Sequence, residues 1–169
     1  AAAGRELEYI RGEARRLGLE TISAGEAYAK FALSLRGTAL EGDSAREVFS
    51  GVQTAATALG LSAGETANIL DQLQQMTQRG TVSAESLAGQ LGKRLPGALG
   101  LAAQAMGVST EELRAMAKEG KLLASDLLPK LAETLESTYG AAAAQAADGL
   151  GGSLTRVGNA WTDLKVAVL

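Results

Sequence analysis

Apolar residues recur along the chain three or four positions apart, with polar residues between them. This period places the apolar side chains on one face of a helix. No stretch alternates apolar and polar residues as a half-buried strand would. The periodic stretches are Leu7–Leu17, Tyr28–Leu35, Val48–Leu59, Ile69–Met76, Leu87–Leu95, Leu99–Met106, Leu113–Met116, Leu128–Tyr139 and Leu154–Val168. The pattern predicts an all-α fold: a compact bundle of about 7–9 short helices, with longer amphipathic helices at both ends.

Two matching segments mark corners between these helices: ALGLSAGET at 58–66 and AMGVSTEEL at 105–113. In each, a glycine can end one helix in the left-handed conformation, and a serine can cap the next helix with a glutamate three residues later. The residues concerned are Gly60, Ser62 and Glu65 in the first segment and Gly107, Ser109 and Glu112 in the second. We expect a weaker corner at 80–86, and another at the tetrapeptide SAGE, 23–26.

The corners and the local composition divide the chain into four segments. We expect an amphipathic N-terminal helix at 1–20, a folded helical domain at 21–139, an Ala/Gly-rich joint at 140–152 and a heptad-like C-terminal helix at 153–169. The central segment should fold back on itself because its repeated helix stops prevent one long helix. The joint contains the sequence GLGGS, which is typical of a flexible linker.

Both terminal helices carry apolar residues at alternating spacings of three and four, which is the pattern of a coiled-coil seam. The candidate seam residues are Leu7, Ile10, Ala14 and Leu17 near the start, and Leu154, Val157, Trp161, Leu164 and Val168 near the end. Each run covers only about two heptads, fewer than a secure coiled coil requires. The pattern therefore fits two structures equally well: an ordinary amphipathic helix, or a seam that pairs with equivalent helices of other copies.

Composition limits the chemistry. The chain has no Cys and no His, so it lacks thiolate and imidazole ligands and the commonest general base. Its net charge is −3, which does not favour specific recognition of nucleic acid, and no apolar run is long enough to span a membrane. The first residues, AAAGRELEYI, lack both a Met and a signal-peptide core, so we expect a piece of a longer chain.

No motif predicts catalysis, a cofactor or a metal site. The stretch GKRLPG at 92–97 lacks the spacing and the hydroxyl residue of a phosphate-binding loop. Glu133 and Glu136 lie three residues apart on one helix and could share a site, but Lys130 beside them favours a solvated charged face. No Ser has a His to activate it. We therefore expect no enzyme, with a Glu-dependent cell-wall hydrolase as the least favoured alternative.

The central block nevertheless resembles a known family, the phage tail length tape measure proteins, in the tape-measure domain near their N-terminus. The resemblance covers most of residues 31–168. It rests on RGTALEG (36–42), AATALGLSAGET (55–66) and SAESLAGQLGKRLPGALGLAAQAMGVSTEELRAMAKEGKLLASDLLPKLAETL (83–135). The final SLTRVGNAWTDLKVAV (153–168) resembles the helix that follows this domain in the family. The resemblance implies a structural protein with no catalytic residue in this block. It also implies a location inside the tail of a phage or prophage particle, and in the host cytoplasm during assembly.

The family resemblance further implies that the whole protein sets tail length and leaves the tube during DNA ejection. Its implied partners are tube, tip or baseplate proteins and assembly chaperones. A ruler must be extended, whereas residues 21–139 contain repeated helix stops. Our hypothesis is therefore that this segment is a folded helical head module of the ruler, with self-association through the terminal seams. The alternative is a helical protein-binding module of a secreted or surface protein unrelated to phages.

Overall fold

The computed structural model describes the backbone of residues 2–168, and the side chains of this range except at 2, 150–156, 166 and 168. Within these residues the fold is an all-α bundle without strands, as the apolar spacing predicted. The elements are α1 (Ala2–Leu17), α2 (Thr21–Ser34), α3 (Asp43–Leu59), α4 (Ala63–Arg79), a π-helix (Ser86–Leu91), α5 (Ala98–Met106), α6 (Thr110–Lys118), α7 (Ala124–Ala147) and α8 (Leu150–Val168).

The corner after α3 forms as the sequence predicted. Gly60 ends α3 in the left-handed conformation, with φ at 68°, and its N–H donates to carbonyl groups of the last helical turn. The Ser62 hydroxyl accepts a hydrogen bond from Glu65 N, and the Glu65 carboxylate accepts one from Ser62 N. This reciprocal capping box satisfies two backbone donors that the start of α4 would otherwise leave unpaired.

The other predicted corners differ in detail. Gly107 ends α5 in the left-handed conformation and the Ser109 hydroxyl accepts a hydrogen bond from Glu112 N, as expected, but among the described contacts the Glu112 carboxylate does not complete the capping box as Glu65 does. The prediction of a corner at SAGE, 23–26, is wrong, because α2 already begins at Thr21. Its cap is Glu20, whose carboxylate accepts hydrogen bonds from Ile22 N and Ser23 N. A longer acidic side chain thus does at Glu20 what the serine does at Ser62.

The centre of the bundle is the packing of α3 on α7, the most extensive contact between two helices. Gly51 of α3 lies against Ala132 of α7 so closely that a Cβ on Gly51 would be 2.8 Å from the Ala132 Cα and carbonyl oxygen. The absence of a side chain at Gly51 lets the two helix backbones approach each other. The largest fully buried side chains around this pair are Phe49, Leu35, Leu40, Ile69, Leu73, Leu87, Leu91, Leu95, Leu113, Leu122, Leu127 and Leu128.

A short backbone bridge joins two loops on one side of this core. Val82 N donates to Leu122 O at 2.8 Å, and Ala124 N donates to Gly80 O at 3.0 Å. Val82 and Leu122 are fully buried. The bridge therefore fixes the loop that leaves α4 to the loop that enters α7.

The helical bounds near the end of the chain differ from the expected ones. We expected the helix marked by Leu128–Tyr139 to end where an Ala/Gly-rich joint begins at 140, but α7 continues to Ala147. The alanines of this stretch are good helix formers, and Ala143 and Ala147 are buried. Only Asp148 and Gly149 separate α7 from α8.

Candidate functional site

The predicted seam residues of α1 differ in their burial. Ile10, Ala14 and Leu17 are buried and Ile10 belongs to the main core, so this face of α1 covers the chain's own bundle. Leu7 is 46% exposed. In this conformation the three buried residues are therefore inaccessible to a partner, and of the four predicted seam residues of α1 only Leu7 is accessible.

The predicted seam residues of α8 point outward. Val157 is 69% exposed, Trp161 60% and Leu164 54%. Leu154 and Val168, the other two predicted members, lie outside the described side chains. We call Val157, Trp161 and Leu164 the α8 stripe. Exposed large apolar residues in a row are uncommon on a monomer and mark contact surfaces.

Polar residues on the opposite face attach α8 to the rest of the bundle. Asn159 is buried: its Oδ1 accepts a hydrogen bond from Thr21 N at 2.9 Å, and its Nδ2 donates to Leu19 O. Four residues later, and so on the same face, Asp163 Oδ1 lies 3.1 Å from Arg11 Nε. No described side chain of α8 belongs to the apolar core. The helix thus packs through its polar face and presents its apolar stripe to solvent, the reverse of an ordinary surface helix.

A separate groove of about 320 Å³ lies between α1, α2 and α8. The exposed Leu7 and Ile22 line it together with Ile10, whereas none of the α8 stripe does. The structure therefore brings Leu7 together with Ile22 and not with the α8 stripe. Ile22 was missed by the sequence reasoning because a single apolar residue in the first turn of a helix has no periodic partner to mark it.

The carboxylates of α1 and α7 meet around one arginine. Arg16 Nη2 lies 2.9 Å from Glu13 Oε2 and 3.3 Å from Glu136 Oε1. The Ser50 hydroxyl donates to Glu13 at 2.6 Å and the Thr54 hydroxyl donates to Glu136 at 2.7 Å. Partial burial would lower the pKa of Arg16, but its hydrogen bonds and charge contacts with Glu13 and Glu136 raise it. The cluster therefore joins α1, α3 and α7 by paired charges.

Glu133 and Glu136, which the sequence placed on one helix face, line a shallow cleft of about 270 Å³. A glycosidase needs one carboxylic acid to donate a proton while a second carboxylate faces the same sugar. Here Glu136 is instead held by Arg16 and Thr54. Among the described residues, no group of three or more acidic residues could hold a metal ion.

A second polar cluster fixes the start of α1. Arg46 of α3 pairs with Glu6, and its backbone carbonyl accepts a hydrogen bond from the Tyr9 hydroxyl at 2.9 Å. The hydrogen bond from Arg46 holds the pKa of Glu6 below its ordinary value. Tyr9 packs edge-on against Tyr28 with ring centroids 5.2 Å apart. This cluster, like the one at Arg16, is an attachment of α1 to the bundle.

The family model described as tape measure protein matches residues 1–168, almost the whole chain. No curated protein and no solved structure matches the chain. In the described residues, no helix has both the length and the apolar character that crossing a membrane requires.

Proposed function

Because the chain belongs to the tape measure protein family and so has a structural role in a phage tail, we propose that residues 21–139 form a folded head module. In this proposal the module organises tail assembly, while the extended part of the protein measures tail length. The observation that supports it most directly is the buried α3–α7 pair, since such packing requires a chain that folds back on itself.

The length that a ruler needs supports the same distinction between a folded module and an extended part that measures length. As one continuous helix at 1.5 Å per residue, residues 21–139 would span roughly 180 Å. In the bundle, several helices lie side by side, and extension would expose the core around Phe49 and Leu128 to water. Burial of apolar surface is the main force that stabilises a fold, so this segment contributes little length for its residue count.

We further propose that the α8 stripe pairs with the α8 helix of other copies, with Leu154 and Val168 continuing the seam. The heptad spacing of the stripe and its outward direction both support this pairing. We include Leu7 in this proposal as a residue that contacts other copies, because it is an accessible apolar residue near the start of the chain. Trp161 is the expected anchor because large aromatic residues contribute most to contact energies.

Tape measure proteins lie inside phage tails. For this chain we propose contacts with tube, tip or baseplate proteins, and with assembly chaperones while the protein is in the host cytoplasm. A contribution to DNA ejection is part of the proposal. It includes no catalytic step, because Glu136, one of the two acidic residues considered for a hydrolase pair, is engaged by Arg16 and Thr54.

The test is an in-frame deletion of residues 21–139 from the parent gene, with tail length measured by electron microscopy. A head module predicts absent tails, or tails of uncontrolled length. Tails shortened by roughly 180 Å would show that the segment measures length, and would overturn the proposal. Tails of normal length that fail to infect would also overturn the assembly role, and would indicate that the segment acts in DNA ejection.

A length-preserving variant separates folding from length. Gly51→Leu keeps the chain length unchanged but forces a bulky side chain against Ala132 at the centre of the bundle. If the fold matters, this variant should reproduce the assembly defect of the deletion. Gly140→Leu is the matched control, since a Cβ at Gly140 has no other atom within 4 Å.

A further inference from the structure

The corner between α7 and α8 is built differently from the other corners of the bundle. Each of the other seven corners in the described chain contains a glycine with positive φ, as Gly60 and Gly107 illustrate. The α7–α8 corner consists of Asp148 and Gly149, and neither residue has a positive φ. A residue at positive φ cannot be part of a right-handed helix, so such a glycine stops the helix. The α7–α8 corner lacks this stop.

The backbone at Asp148 is still close to a helical conformation. Its φ of −81° and ψ of −7° lie near the helical values of about −63° and −42°. Asp148 N donates to Ala144 O at 3.1 Å, with the four-residue spacing of an ordinary helical hydrogen bond. Gly149 N donates to Ala146 O, so the helix tightens only in its last turn. Small rotations at these two exposed residues would therefore continue the helix through the corner.

Few contacts hold α8 in its present place. The Asn159 side chain makes two hydrogen bonds with backbone groups of the corner between α1 and α2. Asp163 pairs with Arg11, but both side chains are partly exposed, and ion pairs at a protein surface contribute little stability. No described side chain of α8 belongs to the apolar core. Release of α8 therefore exposes none of the core residues that α8 itself would supply.

A continuous helix would also satisfy backbone groups at the corner. The end of one helix leaves carbonyl groups without ordinary helical partners, and the start of the next leaves N–H groups without them. If the helix passes through Asp148 and Gly149, these two sets of groups pair with each other. The loss of the Asn159 contacts would thus be offset by new hydrogen bonds within the helix.

We propose that α7 and α8 exist in two arrangements, a closed one, described above, and an open one in which residues 124–168 form one continuous helix. The open helix is roughly 67 Å long, compared with roughly 36 Å for α7 alone. It carries the α8 stripe away from the corner between α1 and α2 while the rest of the bundle stays folded. This inference goes beyond the head-module proposal, and it does not depend on whether α8 pairs with other copies.

The two arrangements differ in the distance between α7 and the end of α8. In the closed one, both helices contact α1: Glu136 lies 3.3 Å from Arg16. Asp163 lies 3.1 Å from Arg11, and the two arginines are only about 7.5 Å apart along the axis of α1. In the open helix, residues 136 and 163 are roughly 40 Å apart. A distance measurement therefore separates the closed arrangement from the open one.

Spin labels on Thr138→Cys and Ala167→Cys allow this measurement by double electron–electron resonance. Both positions are exposed, and the chain has no cysteine of its own. Dilution with unlabelled chain restricts the measured distance to one molecule. The open helix predicts a narrow distance of roughly 44 Å, and the closed arrangement a shorter one. Asn159→Ala should raise the ratio of long to short distances at least about fivefold, because its hydrogen bonds exist only in the closed arrangement.

Leu150→Pro makes the test specific for a continuous helix. Leu150 is the first residue of α8, a position at which proline is well tolerated. In the open helix the same residue is in the interior, where proline would lower the open population by about a hundredfold or more. Leu150→Pro combined with Asn159→Ala should therefore abolish the long distance. Asn68→Ala is the matched control, since this asparagine bonds within α4, and its distances should equal those of wild type.

Three results would overturn the proposal. If Asn159→Ala keeps only the short distance, α8 does not leave the bundle. A broad spread of distances would show that α8 detaches as a flexible arm, and so would a long distance that survives Leu150→Pro. Circular dichroism checks that each variant is folded. If Asn159→Ala does not fold, Arg11→Ala removes the other attachment, and it should raise the same ratio by a smaller factor. An unchanged ratio in that variant would then contradict the proposal.

Discussion

Substitution of Gly51 by alanine tests the packing at the centre of the bundle. A Cβ built on Gly51 would lie 2.8 Å from both the Cα and the carbonyl oxygen of Ala132, and 3.0 Å from its Cβ. Carbon atoms at van der Waals contact are about 3.5–4.0 Å apart. Two of the three opposing atoms are backbone, so no side-chain rotation can relieve the clash. Either α3 and α7 must separate or both must shift along their axes.

The expected magnitude is the difference between two opposing effects. Overpacking of a closely packed core costs about 1–3 kcal/mol. Replacing a glycine in a helix by alanine gains about 0.5–1 kcal/mol in the absence of a clash, because the unfolded chain loses conformational freedom. Because the clash is with backbone atoms, the upper part of the overpacking range applies, about 2–3 kcal/mol, and Gly51→Ala should destabilise the chain by about 1–2.5 kcal/mol. For a domain of this size, that lowers Tm by roughly 2–10 °C.

Urea denaturation followed by circular dichroism measures this change directly. The matched control is Gly140→Ala in α7, where an added Cβ meets no atom within 4 Å beyond its own helix. This variant should be stabilised by up to about 1 kcal/mol. The two alanine variants should thus move in opposite directions. If Gly51→Ala is as stable as wild type, the close approach of α3 and α7 is not a constraint and the reasoning fails.

Three further predictions concern α8 and the cap of α2. Trp161→Ala should weaken self-association of the chain by about tenfold or more in sedimentation experiments, with Tm unchanged because the side chain is 60% exposed; equal association would contradict the seam. Asn159→Ala leaves Thr21 N and Leu19 O without their hydrogen-bond partner, so it should lower the free energy of unfolding by about 1–3 kcal/mol. Hydrogen exchange at the Thr21 amide should become faster. Unchanged exchange would show that Asn159 does not attach α8 to the bundle. Burial would raise the pKa of Glu20, but hydrogen bonds from Ser23 and Ile22 lower it overall. Its stabilising contribution is therefore complete above the ordinary glutamate pKa and is lost as the pH falls through the lowered value. Glu20→Gln should therefore make Tm less dependent on pH in the acid range. An unchanged dependence would mean that other carboxylates determine the loss of stability in acid.

Local signals were the most predictable from sequence. Gly60, Ser62 and Glu65 form their corner from residues within one turn of each other, so their spacing alone was sufficient. The corner expected at SAGE failed because a glutamate upstream, Glu20, provides the cap first. A four-residue pattern does not reveal which of several nearby polar side chains reaches the backbone N–H groups.

The heptad pattern illustrates what the sequence could not decide. Ile10 and Trp161 belong to runs with the same spacing, yet Ile10 is in the core and Trp161 is exposed. A period identifies the apolar face of a helix, but not the surface that covers it. The face of α8 that packs on the bundle is determined by Asn159, which binds backbone groups about 140 residues away in sequence. Such a long-range contact leaves no mark in the local pattern.

The bridge between Gly80–Val82 and Leu122–Ala124 has a consequence for how this chain tolerates change. The π-helix, α5 and α6 pack on the core between the two ends of this bridge, and its two backbone hydrogen bonds hold the ends of that segment together. Extra residues at the exposed corner between α5 and α6, around Gly107, would lengthen a loop whose base is already fixed. Such insertions are entropically inexpensive in a surface loop. The corner at Gly107 is thus the natural place to introduce a tag or a fluorescent reporter, with the register between α4 and α7 left intact.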